Sequence, residues 1–140
     1  MKVFCAAILS LCSLSARAQE EIHLLINKDK VTDCHYIRSG KFVVEKTCDE
    51  IVDGYSLEFR GDSVIERIEN GKYHLKSRIT YTSDCSYKIK VLETDIPSYG
   101  DQVGKVYYSE ILGTAKTDKL IMIRSKGDKW TTMVLRKIED

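Results

Sequence analysis

The chain has 140 residues, with 22 Lys and Arg against 21 Asp and Glu and a formal charge of +1. That balance removes the electrostatic case for a dedicated nucleic-acid binder, which usually shows a domain pI above about 9. The length suits one domain of the usual ~100–150 residues, and no apolar run reaches the ~20 residues that a helix needs to span a bilayer.

The chain opens MKVFCAAILSLCSLSARAQ. Lys2 supplies a positive start, Val3 to Leu14 an apolar stretch, and Ala16-Arg17-Ala18 a small-residue cleavage signal before Gln19, the pattern of a secretory signal peptide. The expectation is cleavage after Ala18 and a secreted or periplasmic product. A lipid-anchored reading would use Cys12, but Leu11 stands where a small residue is needed, and Cys5 lies too close to the start. Removing residues 1–18 takes Lys2 and Arg17 and no acid, leaving 20 bases against 21 acids, a charge of −1. Cys34, Cys48 and Cys85 survive. Oxidising conditions favour pairing, and an odd count leaves one over. Spacing does not choose among the three possible pairs.

Residues 19–33 read as an N-terminal arm, polar at both ends, with an apolar patch at Ile22, Leu24, Leu25 and Ile26. Residues 34–140 read as a single all-β domain. Its β-rich runs fall at roughly 41–46, 54–60, 63–69, 72–82, 86–94, 104–116, 119–125 and 129–138, with turn chemistry between them. The single proline, Pro97, sits in the longest loop, where it removes no ladder bond.

Alternation is cleanest in the middle. Tyr73, Leu75, Ser77, Ile79 and Tyr81 share one face, and His74, Lys76, Arg78, Thr80 and Thr82 the other. A tight loop at Asn70-Gly71 sets Ile68 opposite Tyr73. The next hairpin needs a three-residue loop or a bulge, because a two-residue loop at Ser83-Asp84 would set Ile79 against Lys88. Counting Cys85 into the loop puts Tyr81 opposite Tyr87 and Ile79 opposite Ile89. The last three runs carry apolar residues on both faces, and the arm is placed to cover the outer ones. The reading is an antiparallel meander of about eight strands, closed as a small calycin- or lipocalin-like barrel, with a two-sheet sandwich as the alternative.

The segments "CHYIRSGKF" (34–42), "RGDSVIE" (60–66) and "SDCSYKI" (83–89) resemble a family of small exported bacterial proteins. These are often labelled "DNA topoisomerase IV". The family pattern begins C-H-x-x-x-x-G-K-F, continues through R-x-D-S-I and reaches S-D-C-x-Y. Cys34, His35, Gly40, Lys41 and Phe42 match the first motif, Arg60, Asp62, Ser63 and Val64 resemble the second, and Ser83, Asp84, Cys85 and Tyr87 the third. The resemblance implies a Cys34–Cys85 disulfide and leaves Cys48 as the extra thiol. The label itself fits nothing in the chain, since a type II topoisomerase needs a tyrosine nucleophile and carboxylate-bound Mg²⁺ within a large multidomain protein.

Catalytic and metal signatures are thin. Arg60-Gly61-Asp62 matches an adhesion tripeptide, but Gly-Asp is equally ordinary turn chemistry. His23, His35 and His74 fall on separate elements without zinc-ligand spacing. Cys48 lies beside Asp49 and Glu50, surroundings that weaken a thiol nucleophile. The expectation is no metal, no cofactor and no enzyme, with a thiol enzyme centred on Cys48 as the weakest alternative. Two binding surfaces remain. The inner face carries Glu66, Tyr73, Ser77, Tyr81 and Tyr87, which would orient a small, partly apolar ligand if the strands enclose roughly 300 Å³ or more. The outer ridge of His74, Lys76, Arg78, Lys88 and Lys90 would suit an acidic protein or polysaccharide around a solid core. A monomer is expected.

Overall fold

The computed structural model describes residues 25–46 and 54–140. The expected signal peptide, Ile22, His23, Leu24 and Cys48 lie outside the described residues.

Eight strands run in chain order, namely β1 (Gly40–Lys46), β2 (Ser56–Arg60), β3 (Ser63–Ile68), β4 (Tyr73–Ser83), β5 (Ser86–Thr94), β6 (Val106–Ala115), β7 (Leu120–Lys126) and β8 (Trp130–Glu139). Each pairs antiparallel with its neighbour, and β1 pairs with β8, so the meander closes. Closure rules out the sandwich and leaves no free sheet edge.

The register follows from side-chain parity. Ile68 faces Tyr73, Ile79 faces Ile89, and Tyr81 faces Tyr87. The β4–β5 hairpin keeps that order with an extra residue at Thr82, since Ser83 pairs with Ser86 while Tyr81 pairs with Tyr87. This is the bulge that parity requires. The β3–β4 turn differs from the tight pair expected at Asn70-Gly71. Left-handed backbone begins one residue earlier, with φ of 52° at Glu69, 57° at Asn70 and 89° at Gly71. Amide bonds from Gly71 to Ile68 and from Lys72 to Glu69 make a compact four-residue loop. The Ile68–Tyr73 pair is preserved because the loop is longer by two residues, an even number.

One end of the barrel is plugged. A 3₁₀ turn, Cys34–Ile37, is capped by Asp33, whose side chain accepts the His35 amide. It drives Ile37 to full burial inside the strands. Beneath it runs an edge-to-face chain of rings, from Tyr36 through Phe42, Phe59 and Tyr87 to Tyr81, with centroids 5.6–6.4 Å apart. Such pairs add to the burial energy itself. The Lys137 ammonium lies 4.2 Å from the Tyr36 ring centre and 5.4 Å from that of Phe42. Cys34 and Cys85 form a disulfide with their Cα atoms 5.0 Å apart, tying the plug to the β4–β5 hairpin. A link across 51 positions is worth about 4 kcal/mol through loop-closure entropy.

The arm covers the outside of β6–β8. Leu25 packs with Ala115, Met122 and Val134, flanked by Leu112 and Leu120. Polar stitches hold it there. The Asp29 amide donates to the Thr114 carbonyl at 2.8 Å, Thr114 Oγ1 donates to Asp29 Oδ2 at 2.6 Å, and Lys116 Nζ meets Asp33 Oδ2 at 3.1 Å. Ile26, the next apolar residue of the arm, is exposed. Among the described residues no helix is long and apolar enough to cross a membrane.

Candidate functional site: the barrel interior and its mouth

Opposite the plug, the barrel holds an internal cavity of about 70 Å³. Period-2 alternation directs Leu57 and Phe59 of β2, Leu75 of β4, Val91 of β5, Ile123 of β7 and Met133 of β8 into it, giving a mainly apolar wall. The β5–β6 loop carries Tyr99 and Gln102 over one side of the mouth. Gln102 Oε1 accepts from the Tyr107 hydroxyl at 2.6 Å, so the loop is tied to the rim of β6.

Five buried polar side chains, Glu66, Ser77, Tyr87, Ser109 and Ser125, interrupt the apolar wall. Glu66, 6% exposed, accepts a hydrogen bond from the Tyr55 hydroxyl. Ser109 and Ser125 bond to each other at 2.7 Å across β6–β7. Tyr87 stands directly opposite Ser109, and burial pushes its phenol well above the usual tyrosine range, against the effect of a Ser109 hydrogen bond. Ser77 is different. It is 1% exposed, and its Oγ has no hydrogen-bond partner in the protein. A buried hydroxyl left unmatched costs roughly 1–3 kcal/mol, so this one is a site where a partner would be gained.

Glu66, Ser77 and Tyr87, three of the five inner-face residues singled out in the sequence, thus converge on the cavity. Tyr73 and Tyr81 share their face but not their place. Tyr73 is half-buried at the start of β4 with Lys72 4.9 Å over its ring. Tyr81 lies at the plugged end, where the Arg38 guanidinium sits 4.1 Å from its ring centre. The strand is simply too long for one cavity to reach both ends. Tyr55, Tyr99, Gln102, Tyr107, Ser109 and Ser125 were not anticipated. Ser109 and Ser125 lie in runs that are apolar on both faces, which hides the parity that would have marked them as inward.

The outer ridge splits in two. His74 Nδ1 is 2.9 Å from Asp95 Oδ2, and Lys76 pairs across the ladder with Glu93. The His74 amide and side chain hold the Asp95 carboxyl below its ordinary range. His74 is therefore engaged by acids, whereas Lys76, half-buried, makes no ion pair among the described residues. Arg78, Lys88 and Lys90 are exposed, and none makes an ion pair among the described residues. Arg78 faces Lys90 directly, an arrangement that costs stability. Glu58 is engaged elsewhere, by Arg67 at 2.6 Å and by Arg60, which together depress its pKa. No group of three or more His, Cys, Asp or Glu side chains is placed to hold a metal among the described residues.

Compared with family models, with curated proteins and with solved structures, the chain finds no match.

Proposed function

We propose that this protein is an exported, non-catalytic binding module that takes a small, mainly apolar molecule into the barrel through the mouth framed by Tyr99, Gln102 and Tyr107. The observation that carries the reading is Ser77 Oγ, buried on the cavity wall with no partner in the protein. The Glu66 carboxyl, which accepts from Tyr55, lines the same cavity. A ligand head with an O–H or N–H group suits both, and the aliphatic wall suits a short hydrocarbon tail.

Size narrows the class. The cavity of about 70 Å³ does not reach the roughly 300 Å³ on which the sequence makes the ligand reading depend, the lower bound for a drug-sized ligand. The reading survives only for a much smaller molecule. One water needs about 10–15 Å³ by this measure, so the interior takes a few heavy atoms. Short-chain alcohols and amines fit; a retinoid- or steroid-sized ligand does not. Exported protein examined by native mass spectrometry should carry a small adduct, and Ser77→Leu, which fills the space, should abolish it. Bare protein in both cases, together with no thermal stabilisation by any short alkyl alcohol or amine, would end the reading. The second reading, an envelope-associated interaction module working through the outer face, draws its support from the unpaired cations Arg78, Lys88 and Lys90.

A further inference from the structure

Most of the exposed large apolar side chains of the strands and their connections gather at one end of this barrel. Among the described residues of β1–β8 and their connections, Ile138 near the plugged end of β8 is 42% exposed, and the other exposed large apolar side chains, Val103, Val106, Tyr108 and Trp130, are exposed at 48%, 39%, 54% and 39%. These four stand at the mouth end, three of them within the first three residues of β6 or β8. The ladder brings two together through a lysine, since Tyr108 pairs with Lys126 and Lys126 with Trp130. Gly127, in the turn between β7 and β8, lies so close to the Tyr107 ring that an added Cβ would approach it to 3.0 Å. Tyr107 lines the cavity. Apolar rim and cavity entrance are thus one edge of the molecule.

The same edge is basic. Lys105, Lys126 and Lys129 are exposed there, with Lys88 beside Tyr108 and Lys90 beside Val106. None of the five makes an ion pair among the described residues. Asp95, Asp101 and Asp128 are the exposed acids of the two mouth loops, with Asp95 and Glu93 at the end of β5 both facing His74, so the five lysines stay in excess. Glu110 is occupied by Arg124 at 2.6 Å, whose guanidinium also lies 4.4 Å from the Trp130 ring centre.

We propose that the mouth rim docks on the surface of an anionic lipid bilayer. Exposed apolar groups set among charges mark interaction surfaces, Trp and Tyr favour the headgroup layer, and lysines are drawn to anionic lipid. An acidic polysaccharide would use the aromatic rings and the lysines but would gain nothing from Val103 and Val106. A bilayer surface uses all four apolar side chains and all five cations. The barrel does not cross the membrane, because Lys76, Arg78, Lys88 and Lys90 face outward where a spanning barrel needs an apolar band. Docking by the rim would place the cavity entrance against the lipid. It gives the proposed binding module its source of small apolar molecules, yet it stands on the outer face alone.

The test is flotation of the ligand-free protein with vesicles of phosphatidylcholine alone and of equal parts phosphatidylcholine and phosphatidylglycerol, at an ionic strength of about 0.15 M. The protein should float with the anionic vesicles and not the neutral ones. Lys105→Glu with Lys129→Glu should weaken binding at least about thirtyfold, and Tyr108→Ser with Trp130→Ser at least about tenfold. The same charge change at the plugged end, Lys30→Glu with Lys41→Glu, should leave it unaltered. Circular dichroism of each variant confirms the fold. No flotation of the wild type, an equal loss in the plugged-end pair, or indifference to the aromatic pair would each overturn the proposal. Retention on an acidic polysaccharide without vesicle binding would overturn it in favour of a glycan partner. Because no ligand is present, none of these outcomes bears on Ser77 or the cavity.

Discussion

At the scale of single residues, Gly40 fixes where the barrel closes. Its φ of +111° is a conformation that L side chains rarely adopt, and an added Cβ would stand 2.5 Å from the Glu139 carbonyl oxygen of β8. The obstacle is backbone, so nothing can swing aside. Gly61, in the β2–β3 turn, also has positive φ, 59°, but open space around its Cβ position. Gly40→Ala should therefore cost about 3 kcal/mol or more through strain and clash together, and Gly61→Ala about 1–2 kcal/mol through left-handed backbone alone. Urea midpoints at unchanged m-value measure both. Equal losses at the two sites would mean that β1 and β8 relax apart more easily than their register implies. The match of Gly40 to the C-H-x-x-x-x-G-K-F motif marks the position, but only the β1–β8 pairing explains why glycine is needed.

At the scale of elements, what could be read in advance depended on whether one face of a strand meets water. β4 and β5 alternate cleanly, so the sequence alone yields the pairs Ile79–Ile89 and Tyr81–Tyr87 and the need for a longer loop or a bulge before Cys85. It does not yield the second shift, between Lys76 and Ser77. β6, β7 and β8 are apolar on both faces because Leu25 covers Ala115, Met122 and Val134 from outside. That second burial erases the period and with it the inward serines, Ser109 and Ser125. The β5–β6 loop has no period at all, so nothing marked Tyr99 and Gln102 as mouth residues. The arm is also where pH enters. A hydrogen bond from Lys116 is the largest effect on Asp33, and it holds the carboxyl below its ordinary value of 3.8. A depressed carboxylate stabilises fully above that ordinary value and loses its effect as pH falls through the lowered one. Acidification below about pH 4 should then loosen the arm before the barrel opens, the loss being modest for so exposed a pair. Amide exchange at Asp29 and Asp33 rising ahead of that at Ile79 and Ile89 would bear this out. Simultaneous exchange would show that arm and barrel are one cooperative unit.

At the scale of the whole molecule, plug and mouth divide the labour. The disulfide, the edge-to-face rings and Lys137 make one end solid, which frees the other to carry a cavity with an unmatched hydroxyl. Barrel architecture alone assigns no activity; the assignment rests on Ser77, on the Glu66–Tyr55 pair and on the room beside them. The most direct test is methyl-detected NMR of the isotopically labelled protein titrated with n-butylamine and n-butanol. The account predicts saturable shifts confined to the cavity methyls of Leu75, Val91, Ile123 and Met133, with Ile37 at the plug unmoved and the response lost in Ser77→Leu. Shifts that spread evenly over surface methyls, or none at all up to the solubility of both compounds, would contradict it.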